Sequence, residues 1–119
     1  MAEAMPRRLL QAEGFALFAA GIALYIDADF SILALVLLFL APDLSALGYL
    51  VNERVGSLTY NAVHTEALPL ALGAIGVIAD AEVAVQLALI WLAHIGIDRM
   101  LGYGLKYPSA FKDTHLQRV

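Results

Sequence analysis

The run VAVQLALIWLAHIGIDRML, from Val83 to Leu101, decides the fold. Its strongly polar members are Gln86, His94, Asp98 and Arg99, and all but Gln86 lie toward its C-terminal end. As a helix it is about 28 Å long, close to the roughly 30 Å of a bilayer's hydrocarbon core. Three other windows share this character. Leu9 to Ile26 is interrupted only by Gln11, Glu13 and small residues, Phe30 to Val51 carries one charge, Asp43, and Leu58 to Ala79 contains Asn61, His64 and Glu66. Of the 119 residues 61% are apolar, where a soluble domain has about 45–50% and could not bury more at this size. Backbone groups in hydrocarbon find no water, so each window must be helical. The expected fold is all-α: an integral membrane bundle of four transmembrane helices, one domain over 1–119. Its helices are expected near 9–26, 30–51, 58–79 and 83–105, with a tail over 106–119.

Charge sets the orientation. The seven cations are Arg7 and Arg8 before the first span, Arg54 between the second and third, and Arg99, Lys106, Lys112 and Arg118 at or beyond the end of the fourth. The other two links, Asp27 to Asp29 and Asp80 to Glu82, contain none. Four spans place both termini and the middle link on one side, and the positive-inside rule makes that side the cytoplasm, an N-in/C-in topology. Glu13 inside the first window argues for a mature helix over a cleaved signal peptide. A net charge of −4 argues against a nucleic-acid surface. The absence of cysteine excludes disulfides, thiolate metal sites, iron–sulfur clusters and thioether-linked haem.

Given this direction, the ionisable groups of all four spans fall in the cytoplasmic half. Glu13 lies about 8 Å from the cytoplasmic end of its helix and Asp43 about 12 Å from its own. His94 and Asp98 are spaced i, i+4 and share a face, with Trp91 adjoining; Asn61 and His64, at i, i+3, share another. Charged groups at membrane depth are costly unless they face the interior, a cavity or one another, so their common depth points to one shared pocket. Snorkelling to water is the competing account; it suits Arg99 and fits the short Asp43 beside Pro42 poorly. His64, His94, Asp98, Asp43 and Glu13 together form a ligand set for a divalent metal, Zn, Mn, Fe or Cu. A hydrogen-bonded network that pins helix packing and a proton or ion path are the alternatives. Asn61, Arg99, Tyr103, Lys106 and His115 are assigned supporting or substrate-contact positions, Asn61 orienting His64 or a carboxylate.

Pro42 and Pro69 lie inside their spans and are expected to kink them, freeing carbonyls. Past the fourth span, Gly102, Tyr103, Gly104 and Tyr107 suit a helix end at the interface, with Lys106 meeting the headgroups. Phe111 offers a way to fold the tail under the bundle and bring His115 to the mouth of the site; an exposed tail is the alternative.

Several stretches together resemble one family. They are Pro42-Asp43 with Gly48-Tyr49, Tyr60-Asn61-x-x-His64, Trp91-x-x-His94-x-x-x-Asp98-Arg99, Gly102 to Tyr107, and Thr114-His115-Leu116. The chain resembles the bacterial membrane family called domain of unknown function 4260 over nearly its whole length. That resemblance implies a small multi-pass protein of the bacterial inner membrane and no assigned activity. The His and H-x-x-x-D pattern is also loosely similar to membrane-bound metal-dependent hydrolases, over too short a stretch to carry catalytic residues across. Three function classes stay open: a metal-dependent membrane enzyme acting on a lipid-borne or small amphipathic substrate, a transporter of protons or metal ions, and a structural or accessory subunit. The apolar outer half offers a transporter no second station. Four short spans with Gly and Ala on several faces favour a homo-oligomer.

Overall fold

A computed structural model describes residues 4–108 and 111–118; residues 1–3, Val119 and, within the expected tail, Ser109 and Ala110 lie outside the described residues. Helix α1 is Met5–Asp27, α2 Ile32–Leu38, α3 Glu53–His64, α4 Ala67–Ile78, α5 Glu82–Leu101 and α6 His115–Arg118, with a 3-10 helix at Ala41–Leu50 after α2. The described residues form no strand, only an isolated bridge between Lys106 and Thr114. Four stretches are long and apolar enough to cross a membrane: Met5–Asp27, Ile32–Leu50, Glu53–Ile78 and Glu82–Leu101. Their outer surfaces carry Leu33, Val36, Leu37, Leu50 and Ile78 exposed, an apolar covering far larger than a water-facing surface tolerates.

Two spans are continuous and two are broken. Each break lies where a proline dictates it. Proline lacks an N–H and its ring clashes with the carbonyl four residues back; four before Pro42 is Leu38, where α2 ends, and four before Pro69 is Thr65, which is extended (φ −89°, ψ 140°). Beyond Leu38 the chain tightens, with the Asp43 amide donating to the Leu40 carbonyl at 3.0 Å. Both short helices that follow a polar link are capped by side chains: Ser31 Oγ accepts from the Ala34 amide and Asn52 Oδ1 from the Val55 amide, satisfying otherwise orphaned donors.

Helix α5 is the centre of the bundle, with Ala88, Ile90, Ala93, His94 and Ile95 buried. It packs on α1 and α4, while α3 packs on the 3-10 helix. The α1–α5 seam is close enough that a Cβ added to Gly96 would fall 2.5 Å from the Phe18 nitrogen and 2.7 Å from the Gly14 carbonyl oxygen. Helix α5 ends at Leu101, four residues short of the 105 expected from sequence. Gly102 adopts φ 95° and donates to the Arg99 carbonyl, while the Tyr103 amide reaches the Asp98 carbonyl, a left-handed stop that glycine makes at little steric cost.

The tail then folds back. His115 and Leu105 pair through the His115 amide and the Leu105 carbonyl at 2.8 Å, the Tyr107 amide donates to the Asp113 carbonyl, and Leu116 is wholly buried. Phe111 stands edge-on to Tyr49 and Tyr60.

Candidate metal centre

Four ligand atoms converge from three elements. Asp43 comes from the 3-10 helix, His64 from the last residue of α3, and His94 and Asp98 from one face of α5. The two imidazole Nε2 atoms are 3.2 Å apart; Asp43 Oδ1 is 3.2 Å from that of His64 and 3.1 Å from that of His94. Asp98 Oδ2 lies 3.4 Å and 3.2 Å from the same two nitrogens, and all four atoms are within 4.8 Å of one another. A metal holding four ligands at about 2.0–2.1 Å in a tetrahedron sets them roughly 3.3 Å apart. The five measured edges have that length.

The protonation pattern points the same way. His64 Nδ1 is 2.9 Å from the Tyr60 carbonyl oxygen and His94 Nδ1 is 2.7 Å from that of Phe39. A carbonyl only accepts, so each Nδ1 carries the proton and donates it. In the neutral rings both Nε2 lone pairs then face each other and two carboxylates. Asp98 Oδ2 is buried without a hydrogen-bond partner. With both rings neutral, four acceptors meet without a donor; a proton on one Nε2 supplies a single donor for the other three atoms, and a proton on each opposes two N–H groups across 3.2 Å. A divalent cation relieves these conflicts and balances the two carboxylates. The Nδ1 bonds to carbonyls are the usual outer support of a metal-bound imidazole.

The carbonyl that orients His94 comes from a helix break, whereas that of Tyr60, which orients His64, lies within α3. Phe39 is in the α2-to-3-10 transition, and its oxygen takes His94. At the α3 end, the Val63 oxygen accepts from Trp91 Nε1 and the His64 oxygen accepts from Arg99 at 2.8 Å; Arg99 also donates to the Tyr103 carbonyl at 2.9 Å. Trp91, His94 and Arg99 of α5 thus satisfy three carbonyls that the interrupted apolar stretches expose, so that the irregular backbone keeps its polar groups paired. Tyr60 stacks on the His64 ring with centroids 3.7 Å apart.

Asp43 alone among the ligands is well exposed, at 48% of its side chain. With Asp98, Tyr60, Tyr103, Lys106 and Phe111 it lines a cavity of about 330 Å³. On another flank Pro42, Val63 and Trp91 border an apolar cavity of similar size, about 330 Å³.

The remaining expected site residues are distributed as follows. Glu13 is exposed on α1 and does not join the group; α1 meets α5 through Gly14 and Gly21, and Glu13 is turned about 100° from Gly14. Asn61 does not orient a ligand. Its Nδ2 donates to the Lys106 carbonyl and its Oδ1 accepts from the Lys106 amide, both at 2.6 Å, clipping the tail to α3. Arg99 does not snorkel but is buried, 7% exposed, on the broken end of α3. Lys106 does not reach out to headgroups; it is 6% exposed, its ammonium donating to the Phe111 carbonyl. Tyr103 is exposed at the cavity rim. His115 supports the tail, its Nδ1 accepting from the Leu105 amide at 2.8 Å. Sequence reasoning missed the carbonyl contact of Trp91 and the stacking of Tyr60, although the i, i+4 spacing of Tyr60 and His64 carried a signal for the latter.

A family model described as Domain of unknown function (DUF4260) matches residues 7–119. No curated protein and no solved structure matches the chain. The chain belongs to the DUF4260 family.

Proposed function

Starting from membership of a family whose description names no activity, we propose that this protein is a four-span membrane protein of the bacterial inner membrane. It holds one divalent transition metal, Zn²⁺ foremost, on Asp43, His64, His94 and Asp98, as the centre of a metal-dependent enzyme that faces the cytoplasm. The observation that carries this reading is the set of five ligand-to-ligand distances between 3.1 and 3.4 Å, with both Nδ1 atoms already committed to carbonyls. Two nitrogen and two oxygen donors suit zinc and its neighbours. The segregation of all seven cations supports the orientation.

An enzyme is favoured over a passive site by the position of Asp43. A purely structural zinc is closed on all sides, whereas this carboxylate borders a cavity and is the ligand placed to yield to an incoming oxygen. A metal there supplies Lewis acidity and a water of lowered pKa. The polar cavity on one flank and the apolar one on another fit an amphipathic substrate. The transport reading is weaker, because among the described residues the outer halves of the spans offer no second ionisable station.

Metal analysis of protein purified in mild detergent tests the core of the proposal. One equivalent of metal is expected in the natural sequence and less than about a tenth in His64→Ala and His94→Ala. Metal-free protein, or both variants retaining it, would leave the polar-network account standing.

A further inference from the structure

We propose that the cavity between Asp43, Asp98 and Lys106 binds a phosphate-type oxyanion that bridges the metal and the Lys106 ammonium. This rests on the metal reading above and adds the class of ligand. Lys106 is nine-tenths buried, yet among the described residues no carboxylate lies within ion-pair distance of its Nζ. One of its three protons is used on the Phe111 carbonyl at 2.7 Å. The rings of Phe111 and Tyr60 stand 3.5 and 4.5 Å from the nitrogen, and cation–π contacts of this kind offset part of a lysine's desolvation without cancelling its charge. Burial pulls the ammonium's pKa below its ordinary value, and the charges that oppose this are those of Asp98 and Asp43.

Metal binding changes that balance. Once the two carboxylates neutralise a divalent ion, they no longer offset Lys106. Arg99 does not alter the outcome: Glu66 is the leading acidic charge in its field, and two of its N–H groups donate to the Tyr103 and His64 carbonyls. The loaded cavity would therefore hold an unbalanced buried cation, Lys106, in the same space of about 330 Å³ that is lined by two of the residues that would hold the metal, Asp43 and Asp98. A phosphate group has oxygens enough to accept from the ammonium with one and approach the metal with another, and lysine binds such groups as a point charge. The group can belong to a lipid headgroup or to a free phosphate.

Cobalt-loaded protein in detergent micelles distinguishes these, because the visible bands of Co²⁺ report its ligand geometry. Inorganic phosphate, dioctanoyl phosphatidic acid and, as the phosphate-free counterpart, dioctanoylglycerol are titrated in turn. A saturable band change is expected with phosphatidic acid and none with dioctanoylglycerol; a matching response to inorganic phosphate assigns a free oxyanion, and its absence assigns a headgroup. K106Q should raise half-saturation about tenfold or more, as expected for losing a charge-assisted contact, and K106R should restore most of it, with cobalt stoichiometry at one in each. No band change with either phosphate probe in the natural sequence overturns the proposal without any variant. So does an equal response to dioctanoylglycerol, or unchanged half-saturation in K106Q. Protein that takes up no cobalt overturns the metal reading itself.

Discussion

The two sides of α5 are built by different means. Toward α1, two uninterrupted helices of 23 and 20 residues meet through Gly14 and Gly96 with backbone nearly touching backbone, and no ionisable group of α1 joins the ligand cluster. Toward the 3-10 helix and α3, both spans are broken, and the breaks leave carbonyls that only side chains can satisfy. Small residues give a tight, chemically silent seam. Broken helices give polar groups fixed in space, and α5 joins them by Trp91, His94 and Arg99. The chemistry is concentrated on the side where the backbone is irregular, because irregular backbone brings with it the hydrogen-bonding groups that orient a ligand sphere.

The sharpest way to break this comparison is to separate ligand loss from carbonyl loss. His64→Ala and His94→Ala both remove a ligand, but only His94 Nδ1 reaches across to a carbonyl of another span; His64 bonds within its own helix. His94→Ala should therefore destabilise the metal-free protein by about 2 kcal/mol more than His64→Ala, the order of one buried polar group left unpaired. Denaturant unfolding of both variants after chelator treatment measures this. Equal stabilities would mean that the Phe39 carbonyl finds another partner and that the breaks are not held by α5.

Second in size is the seam. Gly96→Ala drives a Cβ against the Phe18 nitrogen and the Gly14 carbonyl of α1 and should cost about 1–3 kcal/mol as overpacking. Metal content per folded molecule should stay at one equivalent. Loss of metal in proportion to lost stability would show that the two sides are not independent.

How far all this was readable from sequence follows the same division. The four apolar windows announce the spans, and Asp43, His64, His94 and Asp98 stand out because burying them in hydrocarbon is costly without a shared purpose. Even the positions of the breaks follow from Pro42 and Pro69 once the clash is counted back to Leu38 and Thr65. Glu13 was indistinguishable by depth from the four residues that cluster. Its outward direction depends on which stripe of α1 meets α5, and the tight approach at Gly14 decides that. Asn61 was placed beside His64 by helical spacing, but its partner is the backbone of Lys106, 45 residues on, a pairing created by the fold of the tail. Arg99 looked like an interfacial cation because nothing in the sequence tells that α3 ends with a bare carbonyl.

Arg99→Met should have a smaller effect than the seam variant on global unfolding and a larger one on the site. It leaves the His64 carbonyl, and that of Tyr103, without their donor, about 1–2 kcal/mol after partial rescue by water. Because the His64 carbonyl belongs to the residue that supplies a ligand, metal affinity should fall about tenfold, the usual weight of an outer support. Competition with a chelator measures it. Unchanged affinity would mean that the α3 terminus is rigid without α5.

The smallest effect is a pH dependence of the docked tail, and it marks the edge of the comparison, where neither seam nor ligand sphere acts. Burial, and secondarily the charge of Arg99, hold His115 below its ordinary value of 6.5, while its Nδ1 accepts from the Leu105 amide, which requires a neutral nitrogen. A released tail binds the proton more readily than the docked one. Docking stability from this group is therefore fully present above about pH 6.5 and declines as pH falls from there through the depressed docked-state pKa. Hydrogen-exchange protection of the Leu105 and Tyr107 amides, corrected for intrinsic rates, should be lower at about pH 5 than at about pH 7.5. His115→Phe should abolish the pH-dependent component. Equal protection at both pH values would show that the Asn61 clip and Leu116 hold the tail without help from His115, and that the imidazole is only a spacer beneath Gly104.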